Sequence, residues 1–211
     1  MTTPAQTPHP DFFAFFNLPR RLQIDIGALE KSFYALSRKL HPDRFASRSA
    51  MEQEAALTRS SLLNDAYRTL KDPIQRTQYL LSLEGVQLEE QSRAATDAAR
   101  SSGEQKKQIV PPELLEEVFE LNMQLAEMRA AKQMGEDDPQ LRQDLLAAKQ
   151  HFDEKMDETQ IELESLWAAW DKAIDEQDNS ARANAKDAMV VLLNKRSYLR
   201  NLVRDVNESL E

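Results

Sequence analysis

Cysteine is absent from all 211 residues, which excludes disulfides, thiolate metal sites and cysteine nucleophiles together. It also removes the usual sign of an oxidising compartment. Glycine is scarce, with four residues, and none of the glycine-dependent patterns G-x-x-x-x-G-K, G-x-G-x-x-G or G-x-S-x-G occurs, so phosphate loops, dinucleotide folds and nucleophile elbows have no sequence basis. The three histidines, His9, His41 and His151, are isolated, and no two share a local metal-ligand spacing. No segment alternates polar and apolar residues with period two, which predicts no sheet. The longest apolar stretch near the N-terminus, "FFAFF", follows no positive charge and is too short for a signal peptide or a membrane span. The expectation is a soluble, cytoplasmic protein with no metal, no cofactor and no catalytic residues.

What is present is charge, in helical arrangement. Charged residues make up 30% of the chain, with a formal net charge of −9. Residues 1–84 carry 11 Lys+Arg against 9 Asp+Glu, a balance of +2, whereas residues 85–211 carry 16 against 27, a balance of −11. An acidic second half argues against nucleic-acid binding, because phosphate contacts need clustered positive charge. The asymmetry predicts two units with different partners.

The polar, proline-rich residues 1–10 read as a disordered tail. Asp11 is placed to cap a short helix to Asn17, ended by Leu18-Pro19. Leu29, Phe33, Leu36 and Leu40 repeat at four, three and four, one face of a helix from about Ile26 to Leu40. A third helix is expected over about Ala50–Leu70 with Ala55, Leu62, Ala66 and Leu70 inward, stopped at Asp72-Pro73. A fourth covers "IQRTQYLLSLE", and Gly85 is its natural C-terminal stop. Residues 86–110 lack an apolar stripe and read as a linker. Three long patterns follow. One runs from Pro111-Pro112 to about Met134. The next starts after Asp138-Pro139 with Leu141, Leu145, Ala148, Phe152, Met156, Thr159, Leu163, Leu166, Trp170 and Ile174 inward. The last follows "DNS" at 178–180, with Ala185, Ala188, Leu192, Leu199, Val203, Val206 and Leu210 inward. Short connections between long helices predict an antiparallel three-helix bundle over 111–211. On this bundle Trp167 and Trp170 read as core, and His151, Glu154 and Glu158 as solvated surface.

The tripeptide His-Pro-Asp occurs twice, at 9–11 and at 41–43. The first copy lies in the tail, where Asp11 serves as a helix cap. The second lies between two amphipathic helices able to pair across the loop "HPDRFASRS". Pro42 disfavours helical geometry at His41 and removes a backbone donor, so the chain must leave the helix there. Between Lys31 and Met51 the only acid is Asp43, while Lys31, Arg38, Lys39, Arg44 and Arg48 are basic. Arg38 and Lys39 in the last helical turn also offset the helix dipole. The prediction is a helical hairpin with an exposed His-Pro-Asp tip and a basic flank.

Residues 11–84 resemble a J-domain. The segments "LHPDRFAS" and "LLNDAYRTLKDPIQRTQYLLSLEG", with Asn64, Ala66, Tyr67, Leu70, Pro73, Arg76, Tyr79, Leu80 and Leu81, resemble its iron–sulfur branch, the HscB/Jac-type co-chaperones, as does the acidic bundle behind them. The resemblance implies an all-α protein, a J-domain over 11–85 joined to a C-terminal scaffold-binding bundle. It implies an activator and not an enzyme. Such a protein docks on a DnaK/HscA-type heat-shock chaperone, stimulates its ATPase and delivers the iron–sulfur cluster scaffold protein to it. His41, Pro42 and Asp43 carry over directly, with Arg38, Lys39, Arg44 and Lys31 as the basic contacts. Ser32, Tyr34 and Ala35 stand where basic residues are often found, so the charge complement is reduced.

In the helix beginning near Pro112, Leu114, Val118, Leu121, Leu125 and Met128 form one stripe about 80° wide, which suffices for packing. Leu115, Phe119 and Met123 form a second stripe bordered by Glu116 and Glu120, apolar residues on a flank the core does not need. In the resembling family this face binds the scaffold, so Leu115, Glu116, Phe119, Glu120 and Met123 are the implied contacts, with Leu192 on the last helix. The alternative is a general protein-folding J-protein whose bundle binds unfolded clients, which would require a broad, adaptable apolar groove.

Overall fold

The computed structural model describes residues 11–86, Leu88 and 110–211. The expected tail over 1–10 and nearly all of the expected linker over 86–110 lie outside the described residues. Every regular element among the described residues is helical. The chain divides into two compact units, one of Met1–Gln87 with Trp170–Asp178 and one of Leu88–Ala169 with Asn179–Glu211. The division corrects the expected boundary: the Trp170–Asp178 segment groups with the N-terminal unit and not with the bundle.

The first unit contains α1 (Phe12–Phe15), α2 (Ile26–Leu40), α3 (Ala50–Lys71) and α4 (Pro73–Leu83). Asp11 caps α1 by accepting from the Phe13 N–H at 2.9 Å. Asp25 caps α2 by accepting from Ala28. Lys71 ends α3, and Asp72 then caps α4 with Pro73 in its first turn, where a missing N–H costs nothing. Helix α3 packs against α1, α2 and α4. Its buried face is Ala56, Leu63, Ala66 and Leu70, so the expected Ala55 and Leu62 are displaced by one position; Ala55 is exposed and Leu62 half-buried. Either leucine of the Leu62-Leu63 pair lies one helical turn before Ala66, and the neighbouring helices select Leu63. Gly85, at φ 78°, ends α4: the Gly85 N–H donates to Ser82 O and the Val86 N–H to Leu81 O, satisfying carbonyls that helix ends leave open.

The second unit contains α5 (Leu115–Met134), entered through a 3₁₀ turn at Pro112–Leu114, and most of α6 (Pro139–Asp175) and α7 (Asn179–Leu210). Its core gathers Leu114, Val118, Leu121, Leu125 and Met128 from the N-terminal segment with Leu141, Leu145, Phe152, Tyr198, Leu199, Leu202 and Val206. Arg196 donates to Met156 O and Arg142 to Leu210 O, both at 3.2 Å. A step back along α6 thus matches an equal step forward along α7, and the two helices run antiparallel. Val110, expected in the linker, packs against this core. Tyr198 is also buried, and burial pushes its hydroxyl above the usual value. Trp167 and Trp170 are both buried, as expected of core residues.

Candidate functional site: a pinned helical tip and an exposed apolar stripe

Helix α2 ends at His41, whose ψ of 128° is the extended geometry a following proline requires. Pro42–Phe45 form one 3₁₀ turn. The turn is closed by its own backbone, with the Arg44 N–H donating to His41 O at 3.0 Å and the Arg48 N–H to Phe45 O at 2.9 Å. The Asp43 N–H donates to His41 Nδ1 at 3.3 Å, and the Asp43 carboxylate lies 3.4 Å from the same nitrogen. The loop then meets α3 through a capping box: the Glu52 N–H donates to Ser49 Oγ, and the Ser49 N–H and hydroxyl both donate to the Glu52 carboxylate. Those hydrogen bonds hold the Glu52 carboxyl below the usual carboxylate range.

This framework fixes the backbone while leaving the side chains outward. The His41 side chain is 55% exposed and that of Asp43 88%. Lys31, Arg38, Lys39 and Arg44 are all exposed. Lys31 and Arg38 are two turns apart and share one face of α2. Arg44 donates to the Arg38 backbone carbonyl at 3.3 Å, which ties the basic loop residue to the basic helix end. The tip therefore presents positive charge and the tripeptide together.

Below the tip, α2 and α3 are joined by Phe33 of the periodic face of α2 and by polar groups that periodicity does not announce. The Phe33 and Tyr67 rings stack with centroids 4.1 Å apart. The Tyr67 hydroxyl donates to Glu30 Oε1 at 3.1 Å, and Lys71 donates to the same oxygen at 2.9 Å. Lys71 and Tyr67 hold the Glu30 carboxyl below its usual value, and Glu30 and Tyr67 hold the Lys71 ammonium above its own. The first copy of the tripeptide has a different fate at its described end: Asp11 caps α1 and accepts from Arg20 Nε at 2.7 Å.

On α5 the second stripe is exposed as the pattern predicts. Leu115, Phe119 and Met123 are 55%, 69% and 54% exposed, with Glu116 and Glu120 also exposed beside them. Leu192 departs from this set. It is only 9% exposed, because it lies on the same face of α7 as the core residues Ala185, Met189 and Leu199. As a docking residue it is corrected to core.

No family model matches the chain. Its likeness is to solved structures. In fold, the chain is similar to the HscB co-chaperones. Against chaperone HscB from Vibrio cholerae the identity is 24%, with 93% of this chain and 96% of that chain covered at a TM-score of 0.53. Against the crystal structure of human co-chaperone protein HscB the identity is also 24%, with 97% and 84% covered at a TM-score of 0.58. The shared fold is the all-helical J-domain with a C-terminal helical bundle expected from the sequence. Among the described residues, no three His, Asp or Glu side chains converge as a metal site, and no helix is long and apolar enough to cross a membrane.

Proposed function

We propose that this protein is a J-type co-chaperone of iron–sulfur cluster biogenesis, acting on a DnaK/HscA-type heat-shock chaperone and on the scaffold protein where clusters are built. The observation that carries this reading is the exposed His41-Pro42-Asp43 tip, held by backbone hydrogen bonds beside a basic helix flank. A tip of this kind acts as a ligand and not as a catalyst. It accelerates hydrolysis by binding the hydrolysis-competent state of the chaperone better than the resting state, and it shifts the equilibrium only by that difference in affinity. Prior order in the loop reduces the entropy lost on docking. The exposed Leu115, Phe119 and Met123 stripe, bordered by Glu116 and Glu120, is the proposed scaffold surface. Its size favours one folded partner over a range of unfolded clients, which need a broader apolar groove.

The test is a single-turnover ATPase measurement on purified DnaK-type and HscA-type chaperones. The expected result is stimulation by the protein alone and greater stimulation when the scaffold is added. Absence of stimulation with either chaperone would reject the co-chaperone reading. Stimulation that unfolded clients enhance, and the scaffold does not, would replace it with general protein folding.

A further inference from the structure

Among the described residues of the first unit, three polar side chains are buried: Arg76, Thr77 and Asp171. Thr77 is satisfied within its own helix, donating to Pro73 O at 2.7 Å. The other two converge on one stretch of the loop between α1 and α2. Asp171 Oδ1 accepts the Leu22 N–H at 3.0 Å and Oδ2 accepts the Gln23 N–H at 2.8 Å. From the opposite side of that residue, Arg76 Nε donates to Leu22 O at 2.8 Å, and Arg76 Nη1 to Leu70 O at 2.5 Å. Leu22 is fully buried, and Asp171 and Arg76 are 5% and 6% exposed. Burial pushes the Arg76 guanidinium below its usual value, opposed by the negative charges of Asp72 and Asp171.

A buried anion and a buried cation thus grip the same backbone residue at its donor and at its acceptor. Charge-assisted hydrogen bonds are short and directional, and in a dry site their loss exposes an unpaired amide and an uncompensated charge together. The gripped residues stand just before Asp25, the cap of α2, and α2 carries Lys31, Arg38 and Lys39 to the tripeptide. Asp171 comes from 149 residues further along the chain than Leu22. The nearby ion pair between Arg21 and Asp175 is exposed, and exposed pairs contribute little. Asp171 is the discriminating group.

We infer that Asp171 is a positioning residue for the tripeptide hairpin, holding the loop that launches α2. The Trp170–Asp178 segment is then a working part of the chaperone-binding unit. Only the activity consequence rests on the co-chaperone reading; the loop anchoring does not.

The test uses the full chain with Asp171→Ala and the milder Asp171→Asn, which keeps one carbonyl acceptor. Amide hydrogen exchange is followed at Leu22 and Gln23 and, as an internal control, at Leu121 and Leu145 of the bundle. The alanine variant should speed exchange at both loop amides by about ten- to a hundredfold, and the asparagine variant should retain protection at one of them. Bundle amides should be unchanged. In the ATPase titration the alanine variant should need a concentration about tenfold higher for half-maximal stimulation yet reach the same maximum, because the tripeptide is intact. Wild-type protection at both amides in the alanine variant would overturn the inference, and so would faster exchange spread evenly through α3, α4 and the bundle. Local loss of protection with no stimulation by the wild-type protein would leave the loop anchor standing and reject the co-chaperone reading.

Discussion

Gln53, in the first turn of α3, donates its side-chain amide to Arg48 O at 2.9 Å and reaches Ala46 O at 3.2 Å. One side chain thereby closes the end of the loop whose beginning is His41. Gln53→Ala removes both bonds and leaves the tripeptide and the Ser49–Glu52 capping box intact. Stability should fall by about 1 kcal/mol, since these carbonyls can turn to water. Stimulation should fall about two- to fivefold as a preorganised loop becomes a mobile one. Wild-type activity combined with faster exchange of the loop amides would show that the loop need not be rigid.

The two copies of the tripeptide should separate cleanly. His41→Gln or Asp43→Asn should abolish stimulation while changing stability by less than about 0.5 kcal/mol, because both side chains are exposed. Asp11→Ala should do the reverse. It removes the α1 cap and the Arg20 pairing, at a cost of about 1 kcal/mol, and should leave stimulation in place. Calorimetry and the ATPase assay on the same preparations decide the assignment.

The basic flank predicts salt dependence. Arg38→Ala and Arg44→Ala should each weaken chaperone binding, and raised salt should weaken the wild type toward the mutant level, because exposed charges are screened beyond about 8 Å at physiological ionic strength. Isothermal titration from low to several hundred millimolar salt measures this. A flat affinity would show that the flank is only solvated surface.

On α5, Leu115, Phe119 and Met123 are exposed whereas Leu121 is buried. The triple alanine variant of the exposed set should lose scaffold binding, since each anchor contributes about 1.5–3 kcal/mol when removed from water. Its melting should barely move. Leu121→Ala, by contrast, should cost about 2–5 kcal/mol in the bundle. A triple mutant that binds scaffold normally would reject the surface.

Acid should loosen the hairpin through Glu30. Lys71 and Tyr67 depress its folded-state pKa, so its contribution is fully present above the ordinary glutamate range and is lost as pH falls through the depressed value. Glu30→Gln should therefore flatten the acid limb of the stability curve and leave the neutral region less affected. An unchanged acid limb in pH-dependent melting would dismiss this contact.

Much of this molecule follows from local chemistry. Proline at 42, 73, 112 and 139 and glycine at 85 and 135 set helix boundaries wherever the physics of a missing N–H or a left-handed residue demands it. Stripes at three- and four-residue spacing separated the buried from the exposed face of α5 before any neighbour was known, because helical periodicity is a property of the segment alone. Three things were not local. The choice of Leu63 over Leu62 needed the helices that α3 meets, since both lie one turn from Ala66. The choice for Leu192 between the inward place its stripe predicts and the docking role the resemblance implies needed the packed partners of α7, which bury it. The grip of Asp171 on Leu22 and Gln23 needed the fold to bring together residues 149 and 148 positions apart. In sequence Asp171 is one more acid on a charged helix, and only the tertiary structure buries its side chain and makes it the acceptor for the Leu22 and Gln23 amides.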